Sequence, residues 1–246
     1  MTFRACRRMG RIGALVVSLL IATPADAACR LALALGLDVS GSVDDTEYRL
    51  QIDGVAAALM APEVQDALFS MPGTHVMLAV YQWGAERQQS LLLGWTRIET
   101  PEEAANAAAT LRRADLRFDD PYTALGAAMS FGAFLLDEQG ACWQRTLDIS
   151  GDGPSNAGPL PSTVLTDPGV GITVNALVVN PKSRDNVTKD LTHTRTLLDH
   201  YRANVLRGLG AFVETARDFH DFEAAMTRKL TREIRPAALS MAPPGQ

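Results

Sequence analysis

The chain has 246 residues, enough for one α/β domain with a sizeable core, and carries a formal charge of −5. Met1–Ala27 contributes four arginines and one aspartate, so the remainder carries −8, with no basic stripe along it. That balance argues against nucleic acid and anionic membrane as partners.

In chain order, Met1–Ala27 reads as an export leader. It has an arginine-rich start, an apolar Ile12–Ala22 segment and Ala25-Asp26-Ala27 as a small-x-small cleavage site. The apolar segment is short for a membrane span. Asp26 stands where a lipoprotein signal ahead of Cys29 needs an aliphatic residue. The expected product is exported, periplasmic or secreted, with no stable membrane anchor after signal cleavage. Residues 28–235 are expected to form one domain and 236–246 a flexible tail.

Leu31–Val43 (LALALGLDVSGSV) is an unbroken apolar run that stops at Asp38, Ser40 and Ser42. This is the pattern of a strand buried on both faces of a parallel sheet. Asp44–Glu47 then supplies capping and acidic residues for an amphipathic helix over Asp45–Met60, and Val64–Phe69 adds a turn after Pro62. Val76–Trp83 and Gln89–Trp95 are strands spaced for a hairpin, and Glu102–Leu111 is an alanine-rich helix. A charged loop, Arg112–Asp120, leads to Thr123 and a helix over Ala124–Leu136. The remaining elements are strands Arg145–Ser150, Ile172–Val179 and Ala211–Ala216, a polar helix Thr188–Val205, and a closing helix Phe219–Ile234. The last helix has an apolar face of Phe219, Phe222, Met226, Leu230 and Ile234. Pro159, Pro161 and Pro168 predict loop or distorted turn before the fifth strand.

Three stretches carry the chemistry. Asp38-Val39-Ser40-Gly41-Ser42 ends the first strand, Thr123 opens a helix, and Asp152-Gly153 ends the fourth strand. Open α/β sheets bind ligands at this carboxyl edge. A lone D-x-S-x-S is read more simply as a turn whose side chains satisfy backbone amides. Five separated oxygen donors without thiolate or imidazole instead suit Mg²⁺, Mn²⁺ or Ca²⁺ rather than zinc. With these three motifs in order, residues 29–235 resemble the von Willebrand factor A (integrin I-type) domain and its metal-ion-dependent adhesion site (MIDAS). The resemblance implies Asp38, Ser40, Ser42, Thr123 and Asp152 as ligands of a Mg²⁺-type ion. It also implies a doubly wound, mostly parallel six-stranded sheet of order 3-2-1-4-5-6, with an antiparallel third strand and helices on both faces. Tyr81-Gln82-Trp83, Gly94-Trp95-Thr96, Asp148–Gly153 and Lys229–Ile234 resemble an exported bacterial subgroup catalogued as a domain of unknown function.

Cys6 leaves with the leader, and Cys29 and Cys142 remain as a disulfide candidate. Cys29 lies nine residues before Asp38 and Cys142 ten before Asp152, so the two come level if their strands are parallel neighbours. Two inert buried thiols are the alternative. Asp148, inside a buried strand, needs a partner or a proton, and a structural hydrogen bond is expected rather than a second metal site. The four histidines lack ligand spacing and are expected at the surface or at caps.

The expected function is an exported binding or adhesion module whose ion takes an acidic group of a protein, peptide or envelope partner. A metal-dependent hydrolase is the alternative. Against it, no His or Lys lies near the motifs to act as base, Asp38-Val39-Ser40 lacks a second Asp for phosphoryl transfer, and G-x-S-x-G is missing. A structural domain with an unused site is the third reading. The expectation is therefore no enzyme.

Overall fold

The central strand, β1 (Ala28–Asp38), is buried from Arg30 to its end. The sequence gives it no solvent face, and the sheet supplies two helical layers to cover it. The structure is a computed structural model that describes residues 27–115, 120–165, 171–180 and 187–235, with the backbone alone over 187–193. The leader with Cys6, residues 116–119 of the charged loop, Pro168, the His193 side chain and the 236–246 tail lie outside the described residues.

Six strands form one sheet of order β3-β2-β1-β4-β5-β6, the order expected. The other strands are β2 (Thr74–Trp83), β3 (Gln89–Ile98), β4 (Gln144–Gly151), β5 (Ile172–Val179) and β6 (Val213–Ala216). All pairings are parallel except β2 with β3. The helices are α1 (Asp45–Met60), α2 (Pro62–Leu68), α3 (Pro101–Arg112), α4 (Leu125–Asp137), α5 (Val187–Asn204) and α6 (Phe222–Ile234). Leu31, Leu33, Leu35 and Leu37 pack with α1, α2, α3 and α6 on one face. Ala32 and Ala34 pack with α4 and α5 on the other. Period-two alternation thus decides which helix each β1 side chain meets.

Local chemistry sets the helix starts. Asp44 caps α1 by accepting from Glu47 N at 2.9 Å, while Glu47 reaches back to Asp44 N at 3.2 Å. Thr100 caps α3 through the same box with Glu103, and Pro101 takes the first turn, where its missing N–H costs nothing. Several boundaries differ from expectation by a few residues. β3 runs on past Trp95 to Ile98, because a bulge opposite Ala79 absorbs Gly94 and Trp95 and pairing then resumes. Phe219–Asp221 forms a 3-10 turn ahead of α6, since Asp218 accepts from both His220 N and Asp221 N. The proline-rich stretch holds a short 3-10 turn at Pro161–Thr163, in keeping with loop or distorted turn.

The cysteines join. Cys29 and Cys142 form a disulfide across 113 residues, at the end of β1 and β4 opposite Asp38 and Asp152.

The α6 face is not wholly apolar. Its five expected apolar residues are buried, and so, completely, is Lys229. The Lys229 ammonium lies 2.9 Å from Asp148 Oδ1 on β4 and 2.5 Å from Glu233 Oε1. Asn175 on β5 donates to the same Glu233 oxygen at 2.7 Å. Asp148 therefore has the structural partner expected, and the hydrogen bond comes from a buried ammonium, which makes it an ion pair. One ammonium faces two buried carboxylates. Burial pushes Asp148 up to about 7, Lys229 opposes that rise, and Glu233 adds to it. At the end of α6, the buried Arg30 guanidinium donates to Ile234 O at 2.5 Å and to Ala67 O and Leu68 O at 2.9 and 3.0 Å. His75 is also buried, contrary to expectation, because β2 begins at Thr74 and carries it into the sheet.

Candidate metal centre

β1 delivers Asp38 to the carboxyl edge of the sheet, where the chain turns sharply. Ser40 N donates to Asp38 Oδ1 at 2.8 Å, Val43 N to Ser40 O at 2.9 Å, and the Gln51 amide of α1 to Asp38 O at 2.9 Å. Asp38 and Ser40 are each 1% exposed, whereas Ser42 stands open to solvent. Asp152 follows β4 directly and accepts from Ser42 Oγ at 2.8 Å. A Cβ on Gly151 would lie 2.4 Å from Tyr201 Oη and 3.0 Å from Asp38 Oδ2, so only glycine lets β4 end this close to Asp38.

Thr123 reaches the same edge through its backbone. Its N–H donates to Asn156 Oδ1 at 2.8 Å, and its carbonyl accepts from Asn156 N and Ser155 Oγ. The loop after Asp152 is thereby tied to the loop before α4. Pro121 packs so closely on the first loop that a Cβ at Gly41 would come within 2.6 Å of its Cα. Three loops from three distant parts of the chain converge here. Asp38, Ser40, Ser42 and Asp152 meet at side-chain level, and Thr123 stands in the flanking loop, tied by its backbone to the loop after Asp152.

The electrostatics are unusual for an edge of loops. Burial pushes the Asp38 carboxyl up to about 7, and the neighbouring Asp152 adds to the rise. Asp152 is raised as well, chiefly by burial. Asp38 Oδ2 and Ser40 Oγ are buried and find no well-formed hydrogen bond, although the Ser40 hydroxyl lies close enough to Asp38 to oppose part of its rise. Such buried oxygens beside two close carboxylates cost stability unless a cation takes them. The donor set fits a hard divalent cation: two carboxylates and three hydroxyls. Among the described residues no group of three or more His, Cys, Asp and Glu gathers to hold a metal. A site of this kind would draw on serine and threonine oxygens as well.

Sequence reading missed the supports. Tyr201 of α5, fully buried beneath the site, donates to Gly153 O at 3.3 Å, and its hydroxyl is held well above its usual pKa first by burial, then by Asp38 and Asp152. Gln51, Ser155 and Asn156 were missed too. Only the polar run Pro154-Ser155-Asn156 after Asp152-Gly153 hinted at a loop built to hold something. Beside the site, Ser42, Asp44, Glu47, Asp152, Asp218 and His220 help line a cleft of about 410 Å³.

This sheet order, with its loops converging at the ends of β1 and β4, is a doubly wound fold of the von Willebrand factor A-like kind. Residues 28–238 match the family described as "Protein of unknown function (DUF1194)", and the chain belongs to that family. No curated protein matches. Among solved structures, the chain is similar to proximal thread matrix protein 1 from the mussel byssus with a zinc-occupied MIDAS motif, at 15% identity and a TM-score of 0.56 over 85% of this chain and 47% of that one. It is similar to a von Willebrand factor type A structure from Catenulispora acidiphila, at 15% identity and a TM-score of 0.55 over 84% and 43% of the two chains. The pilus adhesin SpaC from Lactobacillus rhamnosus GG gives 12% identity and a TM-score of 0.57 over 84% and 31%. The chain thus spans less than half of each of these three proteins, and at such identities the likeness is one of fold. Among the described residues no helix is long and apolar enough to cross a membrane.

Proposed function

We propose that this chain is an exported, non-enzymatic binding module. A divalent cation held by Asp38, Ser40, Ser42, Thr123 and Asp152 recognises an acidic group on a protein or cell-envelope partner. The observation that carries this reading is the pair of buried oxygens without a well-formed hydrogen bond, Asp38 Oδ2 and Ser40 Oγ, beside the Ser42–Asp152 hydrogen bond. Two carboxylates and neutral hydroxyls leave a bound ion electrophilic enough to take a further carboxylate from outside. The zinc-occupied MIDAS motif of the byssus protein and the adhesin role of SpaC, each named for those proteins, support the reading by analogy. Oxygen donors favour Mg²⁺, with Mn²⁺ or Ca²⁺ as substitutes, over zinc here. The arginine-rich, then apolar Met1–Ala27 stretch supports export of the module.

A pull-down from the exporting compartment, run with Mg²⁺ and with chelator, tests this. A partner retained with Mg²⁺, released by chelator and lost with Asp152→Ala is the expected result. Partners retained equally in chelator would contradict a metal-mediated contact.

A further inference from the structure

At the start of β4 and β5, on the edge of the sheet opposite Asp38 and Asp152, lies an open cleft of about 330 Å³. β4 is eight residues long, so at roughly 3.3 Å per residue the cleft is about 25 Å from Asp152 along the strand. Trp143, Arg145, Leu209, Phe212, Arg232 and Arg235 give it its character.

Trp143 is 63% exposed and Leu209 fully so. The indole is nevertheless carried on a rigid frame. Trp143 follows disulfide-bonded Cys142, and its backbone N–H donates to Cys29 O at 3.0 Å. The Arg232 guanidinium stacks over Phe212, 3.7 Å from the ring centroid. Among the described residues Arg232 and Arg235, both exposed, have no carboxylate partner. Arg145 meets Asp137 at 3.6 Å, and that carboxylate is itself 70% exposed. Glu233 lies beside the cleft with its carboxylate buried and turned to Lys229, whose ammonium it shares with Asp148. Arg232 and Arg235 thus carry positive charge that no described carboxylate meets, on a chain that is acidic overall. An arginine in the last turn suits the helix dipole. That accounts for Arg232, but not for a fixed tryptophan and a leucine standing in water beside it.

We propose that this cleft is a second binding site, for a short acidic polypeptide segment. Its carboxylates bind Arg232 and Arg235, and an apolar side chain lies between Trp143 and Leu209. Arginine forks match carboxylates in a two-point geometry. Tryptophan and arginine dominate binding energy at protein interfaces, and a side chain already held in place loses little freedom on binding. A short segment fits better than a long polyanion, since the acidic remainder of the surface repels extended negative charge.

The test is a fluorescence-anisotropy titration of the purified protein with labelled Asp-Phe-Glu-Leu-Asp, in chelator throughout. Chelator silences the metal centre, so this result stands or falls apart from the proposed function. The amide counterpart Asn-Phe-Gln-Leu-Asn is the control. Saturable binding of the acidic peptide is expected, about tenfold or more tighter than the amide peptide. Arg232→Gln with Arg235→Gln should lose about tenfold, and Trp143→Ala a similar amount, with far-UV dichroism unchanged. Equal affinity for the two peptides, or full affinity in the double arginine variant, would overturn the proposal. So would a sulfated polysaccharide binding through these arginines while the peptide does not bind.

Discussion

Replacing Lys229 with Met removes the one positive charge from a buried cluster of three ionisable groups. Asp148 and Glu233 keep side-chain exposures of 2% and 1%, and their contacts to the ammonium are 2.9 and 2.5 Å. Methionine restores much of the volume, so the cost is electrostatic rather than a cavity. Breaking a buried pair by removing one partner costs roughly 3–5 kcal/mol, because a charge is left without compensation. In a domain of this size that lowers Tm by about 6–20 °C. The cost should depend on pH, with a definite sign. Asp148 is already raised to about 7 by burial, with Lys229 opposing, so the variant raises it further. A folded-state carboxyl pKa above the unfolded value of about 3.9 means that the native state holds more protons in between, so its stability falls as pH rises through that window. Urea denaturation at pH 5 and pH 8 reads this directly. The loss should be largest at pH 8 and reduced at pH 5. A loss under about 1 kcal/mol at pH 8, or an equal loss at both values, would refute the cluster's role.

Reducing Cys29–Cys142 opens a 113-residue loop, and loop entropy sets an upper stability loss of roughly 4–5 kcal/mol, measurable by denaturation with and without reductant. Exported protein should show no free thiol on alkylation and mass spectrometry. Asp38→Asn removes a carboxylate that burial and Asp152 both disfavour, so in chelator its Tm should be no lower than wild type, while the Tm rise on adding Mn²⁺ disappears. Asp44→Ala removes the cap of α1 and should cost about 1 kcal/mol in urea denaturation, without loss of Mn²⁺ binding. Lys229, Glu233 and Arg30 tie α6 down. Its amide exchange should therefore be the same with Mg²⁺ as with chelator, and faster exchange with Mg²⁺ would reveal a sliding helix.

The sheet was legible because its strands are unbroken apolar runs, and runs buried on both faces leave little choice but a covered parallel sheet. The cysteine spacing could be read because both residues keep step with strands that end level. Lys229 could not. On a helix of apolar period, a lysine at the edge of the stripe reads as a solvated residue, and only β4 passing beneath α6 brings Asp148 to it. Gly94 reads as the end of a strand, but opposite Ala79 it is a bulge. The centre was legible as oxygen donors in order along the chain, and its closure was not. That closure rests on Gly41 against Pro121, on Asn156 against Thr123, and on Tyr201 beneath Gly151, contacts between residues far apart in the chain. The arginines of the second cleft are likewise scattered over ninety positions and come together only in the fold.

The central claim is that Asp38 and Asp152 hold a divalent ion, and calorimetric titration of the metal-free protein with Mn²⁺ tests it most directly. One site per chain is predicted in the wild type, with Mg²⁺ competing. Binding should vanish in Asp38→Ala and Asp152→Ala and weaken in Ser40→Ala, Ser42→Ala and Thr123→Ala, whose neutral oxygens contribute less than carboxylates. Unchanged Mn²⁺ affinity in both carboxylate variants would contradict the claim.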